Sequence, residues 1–164
     1  MHNEHNHTRW EWRTNRENRT YTGFTCHFCQ ANVLGLAEIS GVQNRNHCPN
    51  CLCSRHMDWQ EAGDRMSACK AIMAPVGLSV KWSHNKHARV LDGELLLVHL
   101  CIECGKLSIN RIAADDRADR LRELYRASLD WADEIPQLRA SNIRLLTKED
   151  AWLIERQLVG FYGQ

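Results

Sequence analysis

Cysteines in closely spaced pairs are the residues of this sequence best suited to chemistry. Three pairs have the form C-x-x-C: Cys26/Cys29, Cys48/Cys51 and Cys101/Cys104. Two intervening residues allow a tight turn to direct both sulfur atoms at one metal ion, at about 2.3 Å for zinc. Eighteen residues separate Cys29 from Cys48, a spacing typical of a four-cysteine zinc site. The pairs therefore predict metal binding.

The third pair needs two further ligands, and we predict that they are Cys69 and His56. The first site then consists of Cys26, Cys29, Cys48 and Cys51, and the second of His56, Cys69, Cys101 and Cys104. Spacing leaves an interleaved arrangement open, in which Cys26/Cys29 meet Cys101/Cys104 and Cys48/Cys51 meet His56 and Cys69. Both arrangements predict two zinc ions with four protein ligands each, the closed type that serves structure.

Three other residues lie beside the predicted ligands. Cys53 is predicted to be an additional, half-buried thiol that does not bind metal. His47 and His99 are predicted to form hydrogen bonds behind the ligands or within the core. A redox role for the C-x-x-C pairs is disfavoured, because none of them lies at the strand-to-helix turn of a βαβ unit.

The surrounding sequence predicts an α+β fold in three parts. Residues 1–20 are polar and predict a disordered arm, and residues 21–112 predict a small, β-rich, zinc-ribbon-like domain. Within that domain we predict strands in 76–112, including a hairpin between 87–91 and 94–100 around Asp92–Gly93. Residues 113–164 predict a C-terminal extension of two helices.

Apolar spacing and capping residues define the two predicted helices. One apolar face of the first helix is formed by Leu121, Leu124, Tyr125, Leu129 and Ala132, and Pro136 ends that helix. Thr147 and Asp150 fit a capping box ahead of the second helix, and Gly160 suits its end.

The composition places the chain in a reducing, aqueous compartment. The 164 residues carry a net charge of +1 and contain no apolar run long enough to cross a membrane. Residues 1–20 lack the apolar stretch of a secretory signal, so we expect a cytoplasmic location. In that compartment, the eight cysteines are expected to be ligands or thiols rather than disulfides.

Several separated motifs resemble the bacterial RNHCP domain family. They are RNHCPNCLCSRHMD at 45–58, GDR at 63–65, Cys69, MAP at 73–75, HLCIEC at 99–104 and NRIAADD at 110–116. The resemblance covers about residues 22–116 and implies a zinc-binding module of the bacterial cytoplasm with no established activity. It also implies that six residues orient the cysteine turns by hydrogen bonding, with surface recognition as the alternative: Arg45, Asn46, Asp64, Arg65, Asn110 and Arg111. Cys53 departs from the family, in which this position usually holds an aromatic residue.

These observations favour a non-catalytic, zinc-scaffolded binding module. Its expected partner is RNA, including RNA of the ribosome, or a protein docked on the C-terminal helices. Two zinc centres would bring the formal charge to about −2, so RNA contact requires local clustering of arginines: Arg9, Arg13, Arg16, Arg19, Arg45 and Arg55.

Two other functions stay open. A metal-dependent, nuclease-like hydrolase would use His56 or His47 with Asp58 or Asp64. A zinc sensor or store would use Cys53 as an exchangeable thiol.

Overall fold

A computed structural model of the chain describes residues 23–61, 63–82 and 93–159. The arm predicted at 1–20, the residues predicted to form the Asp92 turn and the helix end predicted at Gly160 lie outside these ranges. Within them, two short strands and a brief helix come first. A larger sheet and a helical C-terminal segment follow.

The first strands form a small hairpin around the first cysteine pair. Strand β1 (Gly23–Thr25) pairs antiparallel with β2 (Asn32–Leu34), so that Phe24 lies opposite Val33. Helix α1 (Ala37–Ser40) follows. A two-stranded sheet of this size is marginally stable by itself. Here Val33 is buried against Cys26 and Cys48, so the packing of this hairpin is centred on cysteines.

The larger sheet has four antiparallel strands in the order β3-β4-β5-β6. Their bounds are β3 Ser54–Arg55, β4 Ile72–Trp82, β5 Gly93–Cys101 and β6 Leu107–Arg111. Strands β4 and β5 pair from Met73↔Cys101 to Trp82↔Gly93. Ile72, the first residue of β4, pairs with Arg55 at the end of β3, and the next residue, Met73, pairs with Cys101 at the end of β5. The ends of β3 and β5 therefore flank the start of β4, next to His56.

One predicted hairpin is wrong in its pairing. We expected 94–100 to pair with 87–91, but β5 pairs with β4 on one side and with β6 on the other, from Leu96 to Leu100. Residues 87–91 lie outside the described ranges, and both edges of this part of β5 are occupied. The prediction of strands within 76–112 is confirmed for β6.

The C-terminal segment contains α2 (Ala118–Trp131), α3 (Pro136–Arg139) and α4 (Ala151–Val159). The predicted apolar face of α2 is confirmed, since Leu121, Leu124 and Tyr125 are buried against Leu78 and Leu97 of the sheet. Leu153 and Ile154 of α4 belong to the same core. The sheet and the C-terminal helices are therefore one packed unit.

The helix boundaries follow local sequence signals. A 3₁₀ turn at Ala132–Glu134 extends α2, and Pro136 then occupies the first turn of α3, where its missing N–H costs nothing. The predicted capping box of Thr147 and Asp150 is confirmed. The α+β class, with a β-rich domain followed by helices, is thus confirmed. Across the described residues, none of the helices has the length and apolar character needed to traverse a bilayer.

Candidate metal centres

The first centre brings together the four cysteines predicted for it. The Cys26 and Cys51 Sγ atoms are 3.5 Å apart, and the Cys29 and Cys48 Sγ atoms are 3.6 Å apart. All four sulfur atoms lie within 4.8 Å of one another. We call Cys26, Cys29, Cys48 and Cys51 the first quartet.

The second centre brings together His56, Cys69, Cys101 and Cys104, which we call the second quartet. The Cys69 and Cys101 Sγ atoms are 3.6 Å apart, and Cys104 Sγ lies 3.3 Å from Nδ1 of His56. The four atoms again lie within 4.8 Å of one another. The chain therefore forms the sequential arrangement of ligands and not the interleaved one.

The separations within each quartet fit a tetrahedral metal ion. Disulfide sulfurs are about 2.05 Å apart, far closer than these thiols. Four sulfurs placed about 2.3 Å from a zinc ion form a tetrahedron with edges of about 3.8 Å, and a sulfur–nitrogen edge is about 3.6 Å. The observed distances of 3.3–3.6 Å are close to these edges. Both quartets could thus hold a metal ion, and their donor sets are consistent with zinc.

The same backbone turn builds all three C-x-x-C pairs. In each, the carbonyl of the first cysteine accepts the N–H four residues later: that of Gln30, Leu52 and Gly105 respectively. The N–H of that first cysteine donates to the carbonyl five residues later, in Ala31, Cys53 and Lys106. The residue after the second cysteine has a φ of 60°, 62° and 72° in the three turns, which directs both thiols to one side.

The thiols of a quartet resist full ionisation without a cation. Burial raises the pKa of Cys51 far above its ordinary value. Burial would also raise the pKa of Cys29, but the backbone N–H of Ala31 and the adjacent thiols outweigh it and lower that pKa. A bound cation supplies the charge that four thiolates at this separation require.

Cys53, His47 and His99 belong to neither quartet. Cys53 is buried, and burial raises the pKa of its thiol to about 11. Cys53 thus lies outside both quartets, as predicted, but it is buried and not half-buried. His47 and His99 are both buried behind the turns and are held by hydrogen bonds.

Arg45 and His47 are held in a buried cluster of charges. Arg45 donates through Nη1 to both carboxylate oxygens of Asp115 and through Nη2 to Asp116, at 2.5–3.0 Å. His47 Nε2 lies 2.7 Å from the other oxygen of Asp116, which also accepts the N–H of Ala113. These bonds anchor the turn of Cys48 to the segment that precedes α2.

A second chain of hydrogen bonds links the two cysteine-bearing regions. Asn46 Nδ2 donates to Asn110 Oδ1 at 2.8 Å, and Asn110 Nδ2 lies 2.9 Å from His99 Nδ1. His99 Nε2 lies 2.7 Å from the carbonyl of Leu52. Since Leu52 is in the turn of the first quartet and His99 is on β5, this chain fixes one turn against the sheet.

The other residues implied by the family resemblance have local roles or lie at the surface. Asp64 accepts the backbone N–H groups of Trp59, Gln60, Glu61 and Met66, and these hydrogen bonds lower the pKa of its carboxyl. Arg65 lies 3.8 Å from Asp58, and Arg111 pairs with Glu94 at the surface. We expected Arg45 to contribute to an RNA-binding cluster, but its side chain is buried and bound to acids. Four other arginines of that predicted cluster, at positions 9, 13, 16 and 19, lie outside the described residues.

The groups of the hydrolase hypothesis are already engaged. His56 belongs to the second quartet, and His47 is buried against Asp116. Asp58 accepts the N–H groups of Gly63 and Arg65, and Asp64 holds its own loop. The hydrolase therefore gains no support from this geometry.

Sequence reasoning missed the role of Asp115 and Asp116. Negative charge just ahead of a helix is favourable by itself, so the acidic pair gives no sign of a distant partner, whereas both residues bind Arg45. The available signal was their place in the NRIAADD motif, which accompanies the RNHCP motif in the family resemblance.

Comparison with known proteins gives one match. The model of the RNHCP domain family matches residues 21–122, which is more than half of the chain. The match extends beyond residue 112 into α2, a helix that shares its core with the sheet. No curated protein and no solved structure matches the chain.

Proposed function

The chain belongs to the RNHCP domain family, and from that premise we propose that it is a non-catalytic binding module scaffolded by two zinc ions. The observation that carries the proposal is the pair of quartets, each with four protein donors and distances suited to a tetrahedral ion. Zinc bound in such closed sets supplies folding free energy and cross-links distant segments.

The quartets cross-link segments of the chain that are far apart in sequence. The first joins β1 to the Cys48 turn, and the second joins β3, the segment at Cys69 and the end of β5. A structural zinc ion contributes about 10–16 kcal/mol in small peptides, compared with a typical net stability of about 5–15 kcal/mol. We therefore expect residues 23–111 to require metal in order to fold.

We further propose that the scaffold presents a surface to RNA, including RNA of the ribosome. Positive charge near the second quartet supports this part. Burial lowers the pKa of His56, and the ammonium groups of Lys106 and Lys70 lower it further. The Lys70 ammonium group donates to the backbone carbonyl of Arg65, so it lies beside the loop that precedes Cys69. Such clustered cations attract a phosphate backbone even when the net charge of the chain is small.

A titration of zinc-loaded protein into labelled RNA at several salt concentrations tests the proposal. RNA binding through phosphate contacts predicts an affinity that falls as salt rises, with a log–log slope clearly below zero. Absence of binding, or a slope of zero, would overturn the RNA part. The same samples incubated with Mg²⁺ should contain intact RNA, whereas cleavage that disappears in His56→Ala would favour the hydrolase.

A further inference from the structure

Two depressions on the surface meet between the two metal centres. The first is a narrow cleft lined by Cys26 of the first quartet, and the second is a cavity of about 210 Å³ lined by His56 of the second. Asn46, Arg55 and Met57 line both, so the two depressions adjoin. We call the combined feature the intercentre groove.

The first part of the groove offers aromatic surface. Phe24 and Phe28 line it, and the side chain of Phe28 is 63% exposed. Phe28 lies within the C-x-x-C turn of the first quartet, so the hydrogen bonds of that turn hold the backbone that carries this ring. An exposed aromatic ring on a rigid turn is a platform on which a flat, apolar face of a ligand can stack.

The second part of the groove offers hydrogen-bonding groups. His56 is 2% exposed, and its Nε2 has no hydrogen-bonding partner among the described residues. That nitrogen is closed to solvent, so the hydrogen-bonding groups that a ligand would meet in the cavity are the side chains of Ser108 and Asn110.

The charges of the cavity favour the edge of a heterocycle over a phosphate. Lys106 and Arg55 line it together with Asp58 and Glu61, so cations and carboxylates are both present. A phosphate inside would meet the two carboxylates, whereas a base edge carries both donors and acceptors. Phosphates would instead pass Lys106 on its outer side, where its ammonium group lies near the exposed ring of Trp59.

A second exposed aromatic ring lies next to the cavity. Trp59 adjoins the lining residues Asp58 and Gln60 in the chain, and its side chain is 54% exposed. The Lys106 ammonium group lies 5.7 Å from the centre of its ring. Aromatic rings interleaved with cations are typical of surfaces that bind single strands.

From this arrangement we propose that the intercentre groove binds single-stranded nucleic acid, with one base stacked on Phe28 and another entering the cavity beside Trp59. The inference rests on the proposed function and names the face and the class of nucleic acid. Double-stranded nucleic acid does not fit, since its bases are stacked on one another and are not available to Phe28.

Fluorescence anisotropy of the full zinc-loaded chain tests the proposal. The probes are labelled single strands of RNA and DNA of about ten nucleotides, the corresponding duplexes, and a labelled extended peptide. We expect binding of the single strands to exceed that of the duplexes. Preference for RNA over DNA would identify the physiological class.

Two variants test the groove, each with a matched control. Phe28→Ala should weaken binding about tenfold, while Ile102→Ala, which removes an exposed apolar side chain from the turn of the second quartet, should stay within about twofold. Lys106→Gln keeps a donor for the carbonyls of Asp58 and Trp59 but removes the charge. It should make the salt slope shallower by about 0.7, the value for one phosphate contact. Lys148→Gln, which does not line the groove, should leave the slope unchanged.

The outcomes separate the groove from the broader function. If Phe28→Ala keeps the affinity of the wild type and Lys106→Gln keeps its salt slope, the groove proposal is overturned, whereas the proposal of RNA binding stands. Failure of the wild-type chain to bind any nucleic acid would overturn both. Tighter binding of the peptide than of the single strands would overturn the groove proposal in favour of a protein partner. Metal content and circular dichroism of each variant establish that its fold is retained.

Discussion

His47 Nε2 lies 2.7 Å from Oδ2 of Asp116, a residue 69 positions further along the chain. Both side chains are inaccessible to solvent, and the same carboxylate accepts a hydrogen bond from Arg45. The contact joins the residue immediately before Cys48 to the segment that leads into α2. Arg45 and His47, which precede Cys48 in the chain, therefore fix the turn that carries this candidate ligand.

Removing the charge of Asp116 should destabilise the whole unit. Asp116→Asn leaves part of the buried Arg45 charge and the His47 ring without their carboxylate partner, and we expect a loss of about 3 kcal/mol in the free energy of unfolding. Urea denaturation at a fixed zinc concentration measures it. Asp119→Asn is the control, because its pair with Arg117 is exposed and should change the value by about 0.5 kcal/mol or less. Equal small losses in both variants would contradict the role of the cluster.

Neighbouring cysteines should differ in their effect on metal content. Cys48→Ser removes a member of the first quartet, so the purified variant should hold one zinc ion per chain. Cys53→Ser places a hydroxyl in a buried position outside the quartets, so it should keep two ions and cost about 1–3 kcal/mol. Elemental analysis of both variants checks this. Loss of an ion from Cys53→Ser would place its thiol among the ligands.

The turn of the second quartet should depend on the conformation of Gly105. Its φ of 72° is in the left-handed region, and its N–H donates to Cys101. Gly105→Ala should reduce the free energy of unfolding by about 1–2 kcal/mol, because a Cβ atom makes this conformation unfavourable. Gly105→Asn adds a Cβ at the same place, close to Gln137, but asparagine tolerates left-handed φ. Gly105→Asn should therefore reduce the free energy of unfolding by less than Gly105→Ala does. Thermal denaturation compares the two, and equal losses would assign the cost to crowding against Gln137.

The last helix should contribute to the stability of the metal-bearing domain. Leu153 is fully buried in the core that also contains Leu78 and Leu97 of the sheet. Leu153→Ala should cost about 2–5 kcal/mol, whereas Glu155→Ala, on the exposed side of α4, should change stability by about 0.5 kcal/mol or less. A single unfolding transition, shifted in the first variant only, is the expected result. Two separate transitions would indicate that the helices fold independently of the sheet.

The metal-ligand sets could be predicted from the sequence because their geometry is local. Two residues between cysteines define a turn, and His56 and Cys69 were the remaining candidates for the third pair. The choice between sequential and interleaved arrangements could not be made, because it depends on the register of β4 against β5. That register is set by a long hairpin, which the local signal at Asp92–Gly93 assigned to the wrong partner.

The buried charges could not be predicted from local patterns. Arg45 and Asp115 are 70 residues apart, and two acids before a helix are also explained by the favourable interaction of negative charge with a helix start. Similarly, nothing in the residue type of Leu52 indicates a positive φ, which the turn around Cys48 imposes on it. The family resemblance drew attention to Arg45, but its partners Asp115 and Asp116 could be identified only from the fold.

The most direct test of the account is native mass spectrometry of the full chain during titration with a zinc chelator. If metal held by the two quartets gives the β-rich domain its structure, compact, low-charge ions should carry two zinc ions. Metal-free chains should then occur only in the highly charged, unfolded distribution. Compact metal-free ions that persist after complete chelation would contradict it.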